Sequence, residues 1–441
     1  MAAAHDPYAA LRSPDYRRLL TGNVLSAFGT SMQSLVIGWE LYERTHSAAA
    51  IGLTGLAQFF PVVLLALPAG HAADRFSLKR LFLLAQSILA LSSIGLALVS
   101  YFVAPVPLVY ALLLLIGIGR AFSAPARWSI LPHLIPPEAL ANAVTWNSSG
   151  WQVASMTGPT LGGFIIAWTG RAAPAYALTA MCCGACGLLV VGIRLRPMTR
   201  SKEPMTFQSL LAGVRFVFSR RLILATITLD LFAVLLGGAT ALLPIYASDI
   251  LQTGPKGLGW LRAAPSIGAL VMAVSLAHLP PFKRAGRALL LSVAGFGVAT
   301  IVFGLSTDPV LSFIMLALTG ALDNVSIVVR GTLVQTLTPD EMRGRVSAVN
   351  TIFIVSSNEL GEFESGMTAE LFGNLGWNGP VTSVVVGGIG TILVVLWVAL
   401  KWPEVRRLGP LHAPKAQPPT LPLGAVSQTE TDDEAARPVA G

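Results

Sequence analysis

GIGRAFSAPARWSILPHLIPPEALANAVTWNSSGWQVASMTGPTLGG, from Gly117 to Gly163, is matched without a gap by GALDNVSIVVRGTLVQTLTPDEMRGRVSAVNTIFIVSSNELGEFESG, from Gly320 to Gly366. The offset is 203 positions throughout, and the identical pairs are Gly117/Gly320, Ser123/Ser326, Arg127/Arg330, Leu134/Leu337, Pro136/Pro339, Glu138/Glu341, Asn147/Asn350, Gly158/Gly361 and Gly163/Gly366. Unrelated segments of this length would agree at about three positions, so the pattern reads as an internal duplication. The copies differ in charge. Arg120 stands opposite Asp323, Met156 opposite Glu359, Pro159 opposite Glu362 and Leu161 opposite Glu364.

Outward from this pair, the composition sets the solvent. The chain has 441 residues, 54% hydrophobic and only 12% charged, with a mean hydropathy of +0.67. That is too apolar for an ordinary soluble domain and predicts a membrane protein. The formal net charge of +8 does not imply nucleic acid, because the basic residues sit in alternate loops rather than in one patch interleaved with aromatics. Cys182, Cys183 and Cys186 share one apolar segment and read as small packing residues, so neither a disulfide framework nor a metal is expected. No nucleotide-binding G-K-[ST] loop, H-E-x-x-H or G-x-S-x-G occurs, which argues against an enzyme and against ATP-driven transport; no cofactor is expected. The polar stretch through Arg18 lacks the apolar run and cleavage site of a removable signal.

Apolar runs of membrane-spanning length lie near 19–42, 50–69, 81–103, 108–131, 143–168 and 172–194, then near 222–247, 258–279, 288–305, 310–335, 346–371 and 381–401. They predict an all-α membrane protein of about twelve transmembrane helices in two pseudo-symmetric six-helix bundles. The expected divisions are an N-terminal segment 1–18, a first bundle 19–194, a linker 195–221, a second bundle 222–402 and a disordered tail 403–441 whose acidic run is Glu430, Asp432, Asp433 and Glu434. Lys and Arg concentrate in alternate loops, at Arg12, Arg17 and Arg18, Arg75 to Arg80, the central linker, Lys283 to Arg287, and Arg343 with Arg345. The opposite loops hold only Arg44, Arg171 and Lys256. The positive-inside rule then places both termini in the cytoplasm, with the bilayer of the inner (cell) membrane as the surrounding partner.

Between the second and third runs lies Gly70-His-Ala-Ala-Asp74-Arg75-Phe-Ser-Leu-Lys79-Arg80, read as a loop with a glycine, an Asp-Arg pair and two basic residues. In content and position it resembles the signature of the major facilitator superfamily. Gly158-Pro159-Thr-Leu-Gly162-Gly163 is similar to the G-P-x-x-G-G signature of helix five in antiporters of that superfamily. Trp39-Glu-Leu-Tyr, Ala124-Pro125-Ala126-Arg127 and Asn358-Glu359-Leu360-Gly361-Glu362-Phe363 resemble the subgroup of bacterial secretion permeases that includes the enterobactin exporter. The second-half counterpart of the Asp-Arg stretch, Leu279 to Arg287, keeps its basic residues and has lost the acid. The resemblance runs to about Trp402 and implies the major facilitator fold and a transporter.

Gly70, Asp74, Arg75, Lys79 and Arg80 form a candidate conformational gate, in which Asp74 pairs with basic groups or a helix end in one state only. Gly158, Gly162 and Gly163 clear one face of helix five for a neighbouring helix, with Pro159 as a possible bend. Charges inside a membrane are costly unless paired or facing a cavity, which singles out Arg120 and Asp323. Arg127 and Arg330 either step along a substrate path or snorkel to the surface. Glu359 and Glu362 share a face of helix eleven and cannot both ionise easily in a low dielectric, which suits them to carry a proton. Asp230 is a further proton candidate; each of these acids could instead sit in a structural salt bridge with Arg120 or Arg262. Asn23, Gln33, Trp146, Asn147, Trp151 and Asn350 are candidate lining residues of a substrate pocket.

The expected function is a secondary transporter that exports a small organic molecule, siderophore-like or drug-like, by alternating access as a proton antiporter. Import as a symporter or uniporter is the alternative within the same fold, and a non-transporting membrane sensor is a further one. The expected partners are a small-molecule substrate and protons, with no nucleic acid, and the expected state is a monomer.

Overall fold

A computed structural model describes residues 6, 8–195, 214–279 and 282–409. The main helices in chain order are α1 (Pro14–Thr45), α2 (Ala48–Leu64), α3 (Ala66–Arg75), α4 (Leu78–Tyr101), α5 (Val106–Ile130), α6 (Leu140–Thr169) and α7 (Ala173–Val191). They continue as α8 (Arg221–Leu236), α9 (Gly254–His278), α10 (Ala285–Leu305), α11 (Pro309–Leu337), α12 (Asp340–Asn374), α13 (Gly379–Lys401) and a short α14 (Pro403–Arg407). No strand occurs among the described residues.

Local chemistry sets the helix ends. Ser13, Ser47, Asp308 and Asn378 each accept a hydrogen bond from a backbone N–H in the first turn of α1, α2, α11 and α13, satisfying donors that have no partner inside the helix. Pro14 occupies the start of α1, where its missing N–H costs nothing. His46 and Gly170, with φ of 48° and 66°, close α1 and α6 in the left-handed region. Pro61 lies inside α2, which gives way at Leu65 to α3.

Eight helical segments among the described residues are long and apolar enough to cross a membrane. The other long helices fall short for physical reasons. α2 has only 17 residues, while α1 and α12 carry side chains such as Gln33, Glu359 and Glu362 that bond to other helices, and α6 carries Asn147 and Gln152, which border a cavity between helices. Apart from α2, whose largest contact is with α12, helices up to α7 pack chiefly on one another, and those from α8 onward do the same. Two junctions join the groups, α2 against α12 and α6 against α9.

The duplicated stretch is visible in these contacts. Gly117 of α5 lies against Gln58 and Pro61 of α2, and Gly320 of α11 lies against Pro265 of α9. A side chain at Gly158 of α6 would meet the Phe28 carbonyl of α1 at 2.6 Å, and one at Gly361 of α12 the Val234 carbonyl of α8 at 3.0 Å. Gly163 abuts Pro255 and Gly259, while Gly366 abuts Gly52, so one repeat-related pair of glycines makes both junctions. Close backbone approach of this kind is how membrane helices gain packing energy where no hydrophobic drive exists between them.

Three expectations need correction. The Gly70–Arg80 stretch is mostly helical: Gly70, Asp74 and Arg75 complete α3, only Phe76 and Ser77 intervene, and Lys79 and Arg80 lie in the first turn of α4. Gly158, Gly162 and Gly163 do not serve one face. Gly158 and Gly162, one turn apart, meet α1, whereas Gly163, about 100° further round, meets α9. The tail is ordered beyond Pro403, since α14 docks with Val405 fully buried against Gly286 of α10. Residues 410–441 and the linker residues 196–213 lie outside the described residues.

Candidate functional site

The junctions close one end of the molecule, where α1 finishes and α2 begins. A large apolar cluster there spans both helix groups, with Val36 and Ile37 of the first among Leu243, Tyr246 and Leu258 of the second. Toward the other end, where α1 starts and α5 finishes, a cavity of about 640 Å³ separates the groups. We refer to these as the closed end and the basic end, because Arg12, Arg17, Arg18, Arg75, Arg80, Arg194, Arg220, Arg221, Arg284 and Arg287 gather at the latter.

Polar bonds across the groups reinforce the closed end. Arg120 of α5 donates to Glu359 of α12 at 2.9 Å and to Gln58 of α2 at 2.9 Å. Glu370 of α12 accepts from the Ser47 hydroxyl at 3.0 Å and from the Ala49 N–H at 3.2 Å, and so caps α2 across the junction. Tyr42 of α1 donates to Asp249, in a π-helical turn at Tyr246–Ile250. Arg262 of α9 donates to the Thr240 carbonyl at 2.8 Å and lies 3.5 Å from Glu362. This last pair stays within the second group and borders a small cavity with Gln58, Thr54 and Ser34.

A second charge cluster lies inside the second group. Asp230 of α8 and Arg330 of α11 form an ion pair, 9% and 5% exposed, with Asp323 near enough to feel both charges. Asp230 therefore pairs neither with Arg120 nor with Arg262, and Arg330 is held away from the cavity. Glu364 accepts from the Ser365 hydroxyl at 3.5 Å. In the first group, Glu40 accepts from Tyr176 at 2.8 Å and pairs with Arg44 at 3.3 Å.

Of the expected lining residues, Asn23, Arg127, Asn147 and Trp151 border the large cavity. Gln33 does not; it accepts from Ser93 at 2.7 Å inside the first group. Trp146 packs its ring near Tyr8, and Asn350 is half-buried away from the cavity wall. Trp128, Gln152, Ser266 and Asn324 line it and carried no signal beyond their helical spacing. Among the gate residues, Lys79 donates to the carbonyls of Val191 and Ile193 at 2.7 and 2.9 Å, which ties α4 to the end of α7 within one group. Gly70 faces open space, Arg75 and Arg80 are exposed, and the side chain of Asp74 lies outside the described residues.

The residues 5–405 match the model of a family described as transmembrane secretion effectors. The chain belongs to that family, a branch of the major facilitator superfamily. It is 30% identical over 418 residues to the enterobactin exporter EntS of Citrobacter koseri, covering 93% of this chain and 96% of that one. Against EntS of Escherichia coli O1:K1 the identity is 28%, over 89% and 93% of the two chains. Among solved structures, a bacterial homologue of the human lysosomal transporter Spinster superposes with a TM-score of 0.70 at 16% identity, over 93% of this chain and all of that one. The D-xylose–proton symporter superposes with a TM-score of 0.68 at 13% identity, over 90% and 99%. The likeness at such low identity concerns the fold alone; the family model and the exporters at 28–30% identity make the chain a membrane transporter and not an enzyme.

Proposed function

We propose that the chain exports a small organic molecule from the cytoplasm by alternating access of two six-helix bundles, 19–194 and 222–402, as a proton antiporter of the inner membrane. The observation that carries this reading is the asymmetry between the ends: glycine-lined junctions and cross-group bonds at one, a large cavity at the other. Such an arrangement is one of the two states that a rocking carrier needs. With the basic end in the cytoplasm, as the lysine and arginine distribution favours, the cavity faces the compartment from which an exporter loads.

In this reading Glu359 and Glu362 link the proton to the closed end. Protonation of Glu359 would neutralise the carboxylate that holds Arg120, and protonation of Glu362 the one beside Arg262. Only the first of these bonds crosses the groups, so loss of the Glu359–Arg120 bond lowers the cost of parting α12 from the first bundle, while loss of the Glu362–Arg262 bond frees Arg262 within the second. Asp230 and Asp323 remain candidates for a second proton site around Arg330. At the basic end, Gly70, Asp74, Arg75 and Arg80 would act as the gate that meets the second bundle when that end closes; the open space beside Gly70 and the exposure of Arg75 and Arg80 support this reading.

Enterobactin, for which the similar exporters are named, is the first probe. Everted vesicles with an acidic lumen should accumulate it, and a proton ionophore should abolish the accumulation. Accumulation that persists undiminished without a proton gradient would sink the antiport mechanism.

A further inference from the structure

Each of the arginines Arg44, Arg120, Arg262 and Arg330 faces a carboxylate, but no ion pair among the described residues involves Arg127. Its guanidinium lies 5.6 Å from the ring centre of Trp128 and borders the 640 Å³ cavity. The repeat-related Arg330 shows what is missing. It is neutralised by Asp230 of α8, whereas α1, which packs in the corresponding place, carries no acid between Asp15 and Glu40.

The rest of the wall has the same bias. Among the described lining residues are two tryptophans, Trp128 and Trp151, both about half exposed, and the amides Asn23, Asn147, Gln152 and Asn324, but no Asp or Glu. A cation entering this space would meet one fixed positive charge and, among the described residues, no counter-charge. An anion would supply the charge that Arg127 lacks, while its apolar body stacked on the indoles. The volume falls within the roughly 300–1,000 Å³ typical of sites for drug-sized molecules.

We propose that the cavity selects an organic anion with a flat apolar body, and that Arg127 sets this charge preference. The inference rests on the cavity being the substrate site of the transporter proposed above, but its test reads binding alone, so export direction and proton coupling can fail without it and it can fail without them.

The test uses the purified full chain in detergent and a size-matched pair of probes, radiolabelled 1-naphthoate and unlabelled 1-naphthylmethylammonium. Wild-type protein is expected to bind naphthoate saturably, with no displacement by the ammonium compound. Arg127→Gln should weaken naphthoate binding by at least about tenfold, and Arg127→Lys should keep it within about threefold. Asn324→Asp, which places a counter-charge on the facing wall and makes the cavity neutral, should weaken naphthoate binding by at least about tenfold and serves where Arg127→Gln fails to fold. Absent naphthoate binding, displacement by the ammonium compound, or an Arg127→Gln protein that binds as wild type would each overturn the proposal.

Discussion

Arg127 and Arg330 show how far identity at one residue carries. They occupy the same position of the repeat, yet one borders the cavity and the other is buried against Asp230. The difference lies on other helices, since α8 brings an acid and α1 does not. Breaking such a buried pair from one side costs about 3–5 kcal/mol, because the surviving charge has no solvent. Asp230→Asn is therefore expected to lower the thermal midpoint of the solubilised protein markedly. The double change Asp230→Leu with Arg330→Met should recover most of that loss, and a single variant as stable as wild type would show that the pair does not hold α8 to α11. The acids on α12 call for a different measurement. Glu362→Gln leaves the shape of the closed end intact but removes the titrating group, so probe accumulation should lose its dependence on the proton gradient. A variant still driven by pH would move the coupling elsewhere.

At the scale of elements, glycines decide where helices meet. Gly163 touches Pro255 and Gly259, and Gly366 touches Gly52, each at a junction between the two helix groups. Gly163→Leu should wedge the α6–α9 junction apart. We expect transport to fall about tenfold or more through lost closure, with a change in stability of the order of 1–3 kcal/mol for overpacking. Gly70→Ala, by contrast, meets open space here and, lying inside α3, should raise stability slightly, by about 0.5–1 kcal/mol. The sequence announced these packing sites through the repeat, but not their assignment. Gly162 and Gly163 are adjacent letters that a helix turns toward different neighbours, α1 and α9. Gln33 and Asn23 presented the same difficulty: both are polar residues in an apolar helix, and only the rotation of α1 against α4 sends one to Ser93 and the other to the cavity. Helical periodicity gives relative angles within one helix and leaves the absolute setting to tertiary packing. The Gly70–Arg80 stretch looked like a loop because its charges interrupt an apolar run, although α3 continues through them to Arg75.

For the molecule as a whole, the asymmetry between the ends predicts who can reach the interior. Ser266 borders the cavity, whereas Thr54 lies at the closed end, 6% exposed. A cysteine at Ser266 should react with a membrane-impermeant maleimide added to everted vesicles, and a cysteine at Thr54 should not; the three native cysteines are buried and provide a low background. Labelling of Ser266→Cys from the opposite side of the membrane would reverse the proposed orientation. The apolar runs made the helical outline legible, because hydrocarbon thickness acts on composition alone. The cross-group bonds of Glu370 and Asp249 were not legible, since each joins residues hundreds of positions apart.

The uncompensated arginine beside Trp128 has an electrical consequence. A carrier that releases one negative charge outward while admitting one proton moves two charges in the same electrical sense per cycle. Each is worth about 2.3 kcal/mol per 100 mV of membrane potential. A cell with a negative interior would therefore drive such a cycle even with no pH difference, and twice as strongly as it would drive the exchange of a proton for a neutral molecule. In everted vesicles with the pH clamped equal, a lumen-positive potassium diffusion potential should support uptake of an anionic substrate. The potential at which net flux vanishes would then count the charges.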